Sequence, residues 1–208
     1  MFSLASVPVD SKPTHPKLQE VSDSNGLVRA LVFQVYDGDG CRVVLADGSK
    51  RTIRLFRINA PEFENKFTTK TQPYAKQSRD SLRSLILDKY VYLDTLPYPK
   101  VRYSYGRLVA NVYTTDSIPL WINQTAVING WAWYDNVDKD NKPISNPSQN
   151  IDLFDAHTYA VDNQLGLWGM PGKKLSPTYW RKKYKRRLNA APTATGTTLI
   201  GTSAKAGK

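Results

Sequence analysis

Between Leu27 and Ile58 the chain alternates short strand-like runs with two tight turn signals, and no other stretch limits the possible folds so strongly. The runs are Leu27–Tyr36, Cys41–Ala46 and Lys50–Ile58, separated by Asp37-Gly38-Asp39-Gly40 and Ala46-Asp47-Gly48. Gly and Asp supply the backbone conformations that short connections demand, so the runs pair as two successive hairpins. Two more strands are expected at Tyr90–Asp94 and Arg107–Tyr113. Between them and the hairpins, Ala75–Leu87 reads as a helix, because Ser78, Leu82, Leu85 and Ile86 recur at the spacing of one buried stripe. A short helix is expected over Leu120–Asn129, stopped by Gly130. Another is expected over Ile151–Leu165, with Ile151, Phe154, Thr158, Val161 and Leu165 on one face and Gly166 as its stop. Five strands mostly in hairpins, a helix inserted after the third and more helices at the end describe a mainly β, α+β fold. The expected architecture is a five-stranded oligonucleotide-binding (OB-fold) barrel with about three packed helices.

The rest of the chain divides by composition. Residues 1–25 are rich in Pro, Ser and Asp without periodicity and read as an extended amino-terminal arm; residues 26–170 form the barrel domain; residues 171–208 form a basic, low-complexity carboxy-terminal extension. The net charge of +11 is concentrated there: Lys173–Arg187 holds eight basic and no acidic residues, whereas residues 1–172 carry a net charge of only +1. A near-neutral body with a basic appendix suits a polyanionic partner met through the appendix. Tyr179, Trp180 and Tyr184 are interleaved with Lys173, Lys174, Arg181, Lys182, Lys183, Lys185, Arg186 and Arg187, and basic residues mixed with stacking rings suit DNA or RNA better than mere solubility. No run of about 18 apolar residues exists to span a membrane. The amino terminus lacks the basic start of a secretory signal, so an intracellular location is expected, whether cytoplasmic, organellar or virion-associated.

Chemistry is concentrated in three places. Asp37-Gly38-Asp39 sets two carboxylates on one turn, where hard oxygens can meet a divalent cation, although Asp-Gly turns are commonly only turns. By the two-residue period of a strand, Arg54 shares a side with Phe56 and Ile58, a costly place for a guanidinium unless it meets an anion or lines a cleft. Glu62 follows Pro61 just past that strand and can aim back at the same mouth. Arg107 begins a later strand after Gly106, and two separated arginines on one anion make a phosphate clamp. A structural salt bridge accounts for either arginine equally well. Cys41, the single cysteine, reads as a core residue, and with only His15 and His157 beside it no zinc cluster is expected. Neither a Gly-rich phosphate loop nor a serine nucleophile elbow is present.

In order and spacing, Asp37-Gly38-Asp39, Arg54 with Asn59-Ala60-Pro61-Glu62, Tyr105-Gly106-Arg107-Leu108-Val109-Ala110, Asn123 with Gly130-Trp131-Ala132, and Gly166-Leu167-Trp168 resemble the staphylococcal nuclease-like (thermonuclease) family. The resemblance implies an OB-fold barrel and a Ca²⁺-dependent phosphodiesterase acting on DNA and RNA with little sequence preference. It further implies Asp39 and Asn59 at the metal, Arg54, Arg107 and Glu62 in catalysis, and Tyr105 on a neighbouring phosphate. Three positions depart from the family pattern: Asn59 stands for an aspartate, Ser104 for a lysine and Gly40 for a threonine. Asn59 removes one formal charge from the calcium ligands. A second reading therefore stands beside the endonuclease: a weak or inactive nuclease-like module that binds nucleic acid or serves as a structural subunit of a larger assembly through its arm and tail.

Overall fold

The computed structural model describes residues 26–95, 103–104, 106–135 and 151–186. Five strands make the closed barrel: β1 (Val28–Asp37), β2 (Gly40–Leu45), β3 (Lys50–Leu55), β5 (Tyr90–Asp94) and β7 (Arg107–Thr114). They follow the order β3-β2-β1-β5-β7, and parallel pairing of β3 with β7 closes the ring. The remaining strands are two-residue pieces: β4 (Ile58–Asn59), β6 (Tyr103–Ser104), which extends β7, and β8 (Trp133–Tyr134), which pairs with β4 in a separate small sheet. Ten-residue β1 reaches both neighbours, pairing along its length with β2 and through Val28–Leu31 with β5. Register shifts between Val32 and Gln34 and between Val35 and Asp37 bend it, as closure of a small barrel requires.

Apolar side chains fill the barrel at a period of two, among them Ala30, Val32, Val43, Ile53, Leu93 and Val112. Cys41 belongs to this core as expected, and burial, aided by Asp37, pushes its thiol up to about 12. Helix α1 (Ala75–Ile86) lays Ala75, Ser78, Leu82 and Ile86 against the barrel, close to the expected stripe. Helix α2 (Ile122–Ile128) is shorter than Leu120–Asn129 but ends before Gly130 as read. Its Asn123 is fully buried: the amide donates to the carbonyls of Phe56 and Ala110, at 3.0 and 3.4 Å, and its oxygen accepts from the Val112 N–H at 2.9 Å. One side chain thus ties β7 to the break that follows β3.

Three expectations are corrected. The run Lys50–Ile58 is not one strand: it stops at Leu55, Arg57 takes a left-handed φ of 57°, and pairing resumes with β8 at Ile58. The two-residue period therefore cannot carry Arg54 onto one side with Phe56 and Ile58. Helix α3 (Ile151–Asp162) buries Leu153, Ala156, His157 and Ala160, leaving Phe154 half-buried and Thr158 and Val161 exposed. The buried face thus lies one step round the helix from the expected stripe. His157 is structural, accepting the Tyr134 N–H at 3.4 Å through Nδ1 and meeting the Trp168 ring edge-on. Lastly, the described residues form four α-helices rather than about three, because the segment read as part of the tail contains α4 (Pro177–Lys183) after a 3₁₀ turn at Gly166–Gly169. The arm 1–25 and the stretch from Asn189 to Lys208 lie outside the described residues.

Candidate active site

Parallel pairing sets Leu108 opposite Ile53 and Val109 opposite Arg54, so the start of β7 lies beside β3. The β1–β2 turn folds over the same end. Its geometry rests on Gly38, where a Cβ would collide with Ser78 of α1 and with Ala60. Asp37 accepts the Asp39 N–H at 3.1 Å, which turns the Asp39 carboxylate inward. There Oδ2 of Asp39 accepts the Ala60 N–H at 2.6 Å and pairs with Arg54 Nη1 at 2.7 Å. That Nη1 also approaches the carbonyls of Asp39 and Leu55, each at 3.4 Å, and among the described residues every bond of Arg54 runs through Nη1.

Gly40, where the family pattern has a threonine, has a local cause. A Cβ there would enter the Tyr36 ring. The Tyr36 hydroxyl donates to the Ile53 carbonyl at 3.2 Å and is hydrogen-bonded to Arg107. Burial and Asp37 raise the phenol's pKa while Arg107 opposes the rise. Tyr36, Asp37, Asp39, Glu62 and Phe63 line a pocket of about 180 Å³; neither Arg54 nor Arg107 lines it, but Arg54 is paired with Asp39 of its wall and Arg107 is hydrogen-bonded to Tyr36. Of the three residues assigned to catalysis, Glu62 lines the pocket, while Arg54 and Arg107 are each joined to one residue of its wall.

Glu62 is fixed through Gln72, which accepts the Glu62 N–H at 3.2 Å, returns its own N–H to the Glu62 carbonyl at 2.6 Å, and donates its side-chain amide to the Leu175 carbonyl at 2.7 Å. The Glu62 carboxylate forms an ion pair with Arg181 of α4. Desolvation raises its pKa above the usual carboxylate range, and Arg181 partly restrains the rise. Asn59, buried in β4, donates to Asp135 at 3.1 Å and to the Thr178 hydroxyl at 3.4 Å, while its oxygen faces Arg181 Nη1 at 3.5 Å. Arg181 Nη2 donates to Thr178 at 3.2 Å. Burial works against the charge on Arg54, but Asp39, Asp135 and Asp37 outweigh it and hold the guanidinium more firmly protonated than usual. For Asp135 burial dominates and raises its pKa, with Arg54 the largest opposing charge. Asp37 is pushed well above the carboxylate range by burial and by Asp39.

The sequence missed Asp135, Tyr36, Gln72 and Thr178. Asp135 follows the expected Gly130-Trp131-Ala132 segment, but only the β4–β8 pairing brings it to Asn59. Among the basic residues, Arg186 pairs with Glu64 at 2.9 Å and donates to the Asn65 carbonyl, and Lys174 caps the carbonyls of Met170 and Gly172. Lys173, Lys182, Lys183 and Lys185 are exposed, Lys182 lying over the Tyr179 ring and Lys183 over that of Tyr184. Tyr105 and Arg187 lie outside the described residues.

Calcium takes six to eight oxygens in a flexible shell. Here Oδ2 of Asp39 is committed to Arg54 and Ala60, and both ends of the Asn59 amide are committed to protein partners. Among the described residues no group of three or more His, Cys, Asp or Glu side chains is placed to hold a metal ion. The donor set in this arrangement does not fit the ion.

A family model described as staphylococcal nuclease homologue matches residues 52–170. That span runs from β3 through the 3₁₀ turn and stops before α4. No curated protein matches the chain.

Proposed function

Since the chain belongs to the staphylococcal nuclease family, we propose that it is a phosphodiesterase cleaving DNA and RNA with little sequence preference by attack of water on phosphorus. The observation that supports this reading is a pocket lined by Glu62, Asp39 and Tyr36 in which Asp39 is paired with Arg54 and Tyr36 is hydrogen-bonded to Arg107. Members of the family are typically Ca²⁺-dependent, but the donor set here fits that ion poorly and no step is derived through it.

Glu62 takes a proton from the attacking water. Desolvation, which raises its pKa, makes it a stronger base than an exposed glutamate. As the water oxygen bonds to phosphorus, charge builds on the non-bridging oxygens. Arg54, held by Asp39 through one nitrogen, offers the rest of its fork to them, and Arg107 approaches from β7. The bond from phosphorus to the 5′ oxygen breaks, and that oxygen is protonated from solvent. Lys182, Lys183 and Lys185 supply a basic surface on the same carboxy-terminal segment as Arg181, where the strand is retained.

The test is hydrolysis of single-stranded DNA and RNA by wild type, Arg54→Ala and Glu62→Gln. Each variant is expected to lose on the order of 10²–10³ in rate. Absence of cleavage by wild type with any divalent ion or with chelator refutes the enzyme and leaves the second reading, a nucleic-acid-binding or structural module in a larger assembly. The pairing of Glu62 with Arg181 is the feature that favours that module.

A further inference from the structure

Between Leu175 and Arg186 the chain is bound at several points to the loop that carries Glu62. The Thr69 N–H donates to the Tyr184 carbonyl at 2.9 Å, the Arg186 N–H to the Phe67 carbonyl at 2.8 Å and Trp180 Nε1 to the Lys70 carbonyl at 3.0 Å, while Gln72 holds Leu175. Thr68 and Lys185 form a bridge between them. Arg181 is thus placed by two backbone bonds and two side-chain anchors rather than swinging from a tail. It arrives where charge is missing: beside Asn59, the neutral residue at a family metal position, and against Glu62. About two-fifths of its side chain remains accessible, so an arriving phosphodiester can reach it.

We infer that the Arg181 guanidinium takes the place of the divalent cation in this site, so that phosphodiester hydrolysis here requires no metal. The inference rests on the nuclease reading above and goes beyond it. Three features of the donor set agree. Arg54 and the Ala60 N–H already occupy Oδ2 of Asp39. Asn59 presents its oxygen to Arg181 and its nitrogen to Asp135, an arrangement that answers a guanidinium and a carboxylate. Thr178, one turn before Arg181, bonds both Asn59 and Arg181 and locks the two together. A divalent ion among these groups would sit against a fixed like charge. A guanidinium presents five N–H donors in a plane, so Arg181 can keep Glu62 and Thr178 and still meet a phosphate oxygen. Bonds made and broken are those of the hydrolysis already described; only the source of positive charge differs.

The experiment compares wild type, Arg181→Lys, Arg181→Gln and Asn59→Asp/Arg181→Gln, as full chains, for cleavage of single-stranded DNA with Ca²⁺ and with excess chelator. Ca²⁺ uptake is measured independently by calorimetry and by the shift in thermal unfolding. Wild type is expected to cleave equally in both conditions and to take up no Ca²⁺. Arg181→Gln should lose on the order of 10²-fold in chelator, Arg181→Lys should retain part of the rate, and the double variant should gain Ca²⁺ uptake. Cleavage by wild type that appears only with Ca²⁺, accompanied by Ca²⁺ uptake, overturns the inference and leaves the nuclease standing. Unchanged chelator activity in a folded Arg181→Gln overturns it as well. If no protein cleaves, the nuclease reading falls, and Ca²⁺ uptake still decides the cation's place: uptake by wild type refutes it, and uptake by the double variant alone supports it.

Discussion

Removing the charge of Asp39 tests the keystone of the site. The ion pair to Arg54 is 2.7 Å long, with side-chain exposures of 8% and 14%. At an effective dielectric constant of about 20, that separation corresponds to about 6 kcal/mol of attraction, of which the desolvation of two ions offsets a large share. Asp39→Asn keeps an oxygen for the Ala60 N–H but leaves Arg54 buried beside a neutral amide. The expected loss is about 3 kcal/mol, at the lower end for an orphaned buried charge. For a domain of this size it lowers Tm by roughly 6–12 °C. Urea and thermal unfolding of Asp39→Asn, Arg54→Gln and the double variant measure it. Because the double variant leaves no orphaned charge, its loss should fall short of the sum of the single losses by at least about 1 kcal/mol. Strict additivity, or a single variant within about 0.5 kcal/mol of wild type, would mean that the pair does not organise the turn and the reasoning fails.

Asp37, raised above its ordinary pKa by burial and Asp39, should lose its contribution to stability as pH rises. Asp37→Asn is therefore expected to match wild type below about pH 4 and to exceed it increasingly as pH climbs through the raised folded value, read as the urea midpoint across pH. Gly40→Thr, the family residue, should destabilise by about 1–3 kcal/mol through collision with Tyr36; combining it with Tyr36→Ala should recover part of that loss in the same unfolding assay. Gln72→Ala removes the buried amide that joins Glu62 to Leu175, at about 1–3 kcal/mol, and should speed tryptic cleavage at Lys182 and Lys183. Replacing Lys182, Lys183 and Lys185 by Gln should reduce the slope of log affinity against log salt by about 2 on single-stranded DNA; an unchanged slope would mean that these lysines touch no phosphate.

The barrel could be read because hairpins announce themselves locally. Asp37-Gly38-Asp39-Gly40 and Ala46-Asp47-Gly48 fixed two turns, and alternating apolar residues marked the strands they join. The break after Leu55 was invisible for the opposite reason. Its cause is Asn123, 67 residues away, whose amide takes the Phe56 carbonyl out of any strand ladder. Helix α3 forms where expected, but its buried face is Leu153, Ala156, His157 and Ala160 rather than the stripe through Phe154, Thr158 and Val161, since two adjacent faces of this segment satisfy the helical period.

Motif spacing singles out Asp39, Arg54, Glu62 and Arg107; the fold pairs Asp39 with Arg54, sets Glu62 beside Asp39 in one pocket lining and brings Arg107 to Tyr36. Spacing reads Asn59 as a lost charge and the basic run as an appendix, because neither reading has access to contacts made across the fold. The fold joins them: β4–β8 pairing delivers Asp135 to the nitrogen of Asn59, and the clasp between residues 62–72 and 175–186 delivers Arg181 to its oxygen. Substituting aspartate for Asn59 alone would set its new charge next to Asp135, whose pKa burial already raises, as well as next to Arg181. The neutral residue is the one that both neighbours accept, which is why the charge balance of this site has to be counted over Asn59, Glu62, Asp135 and Arg181 together.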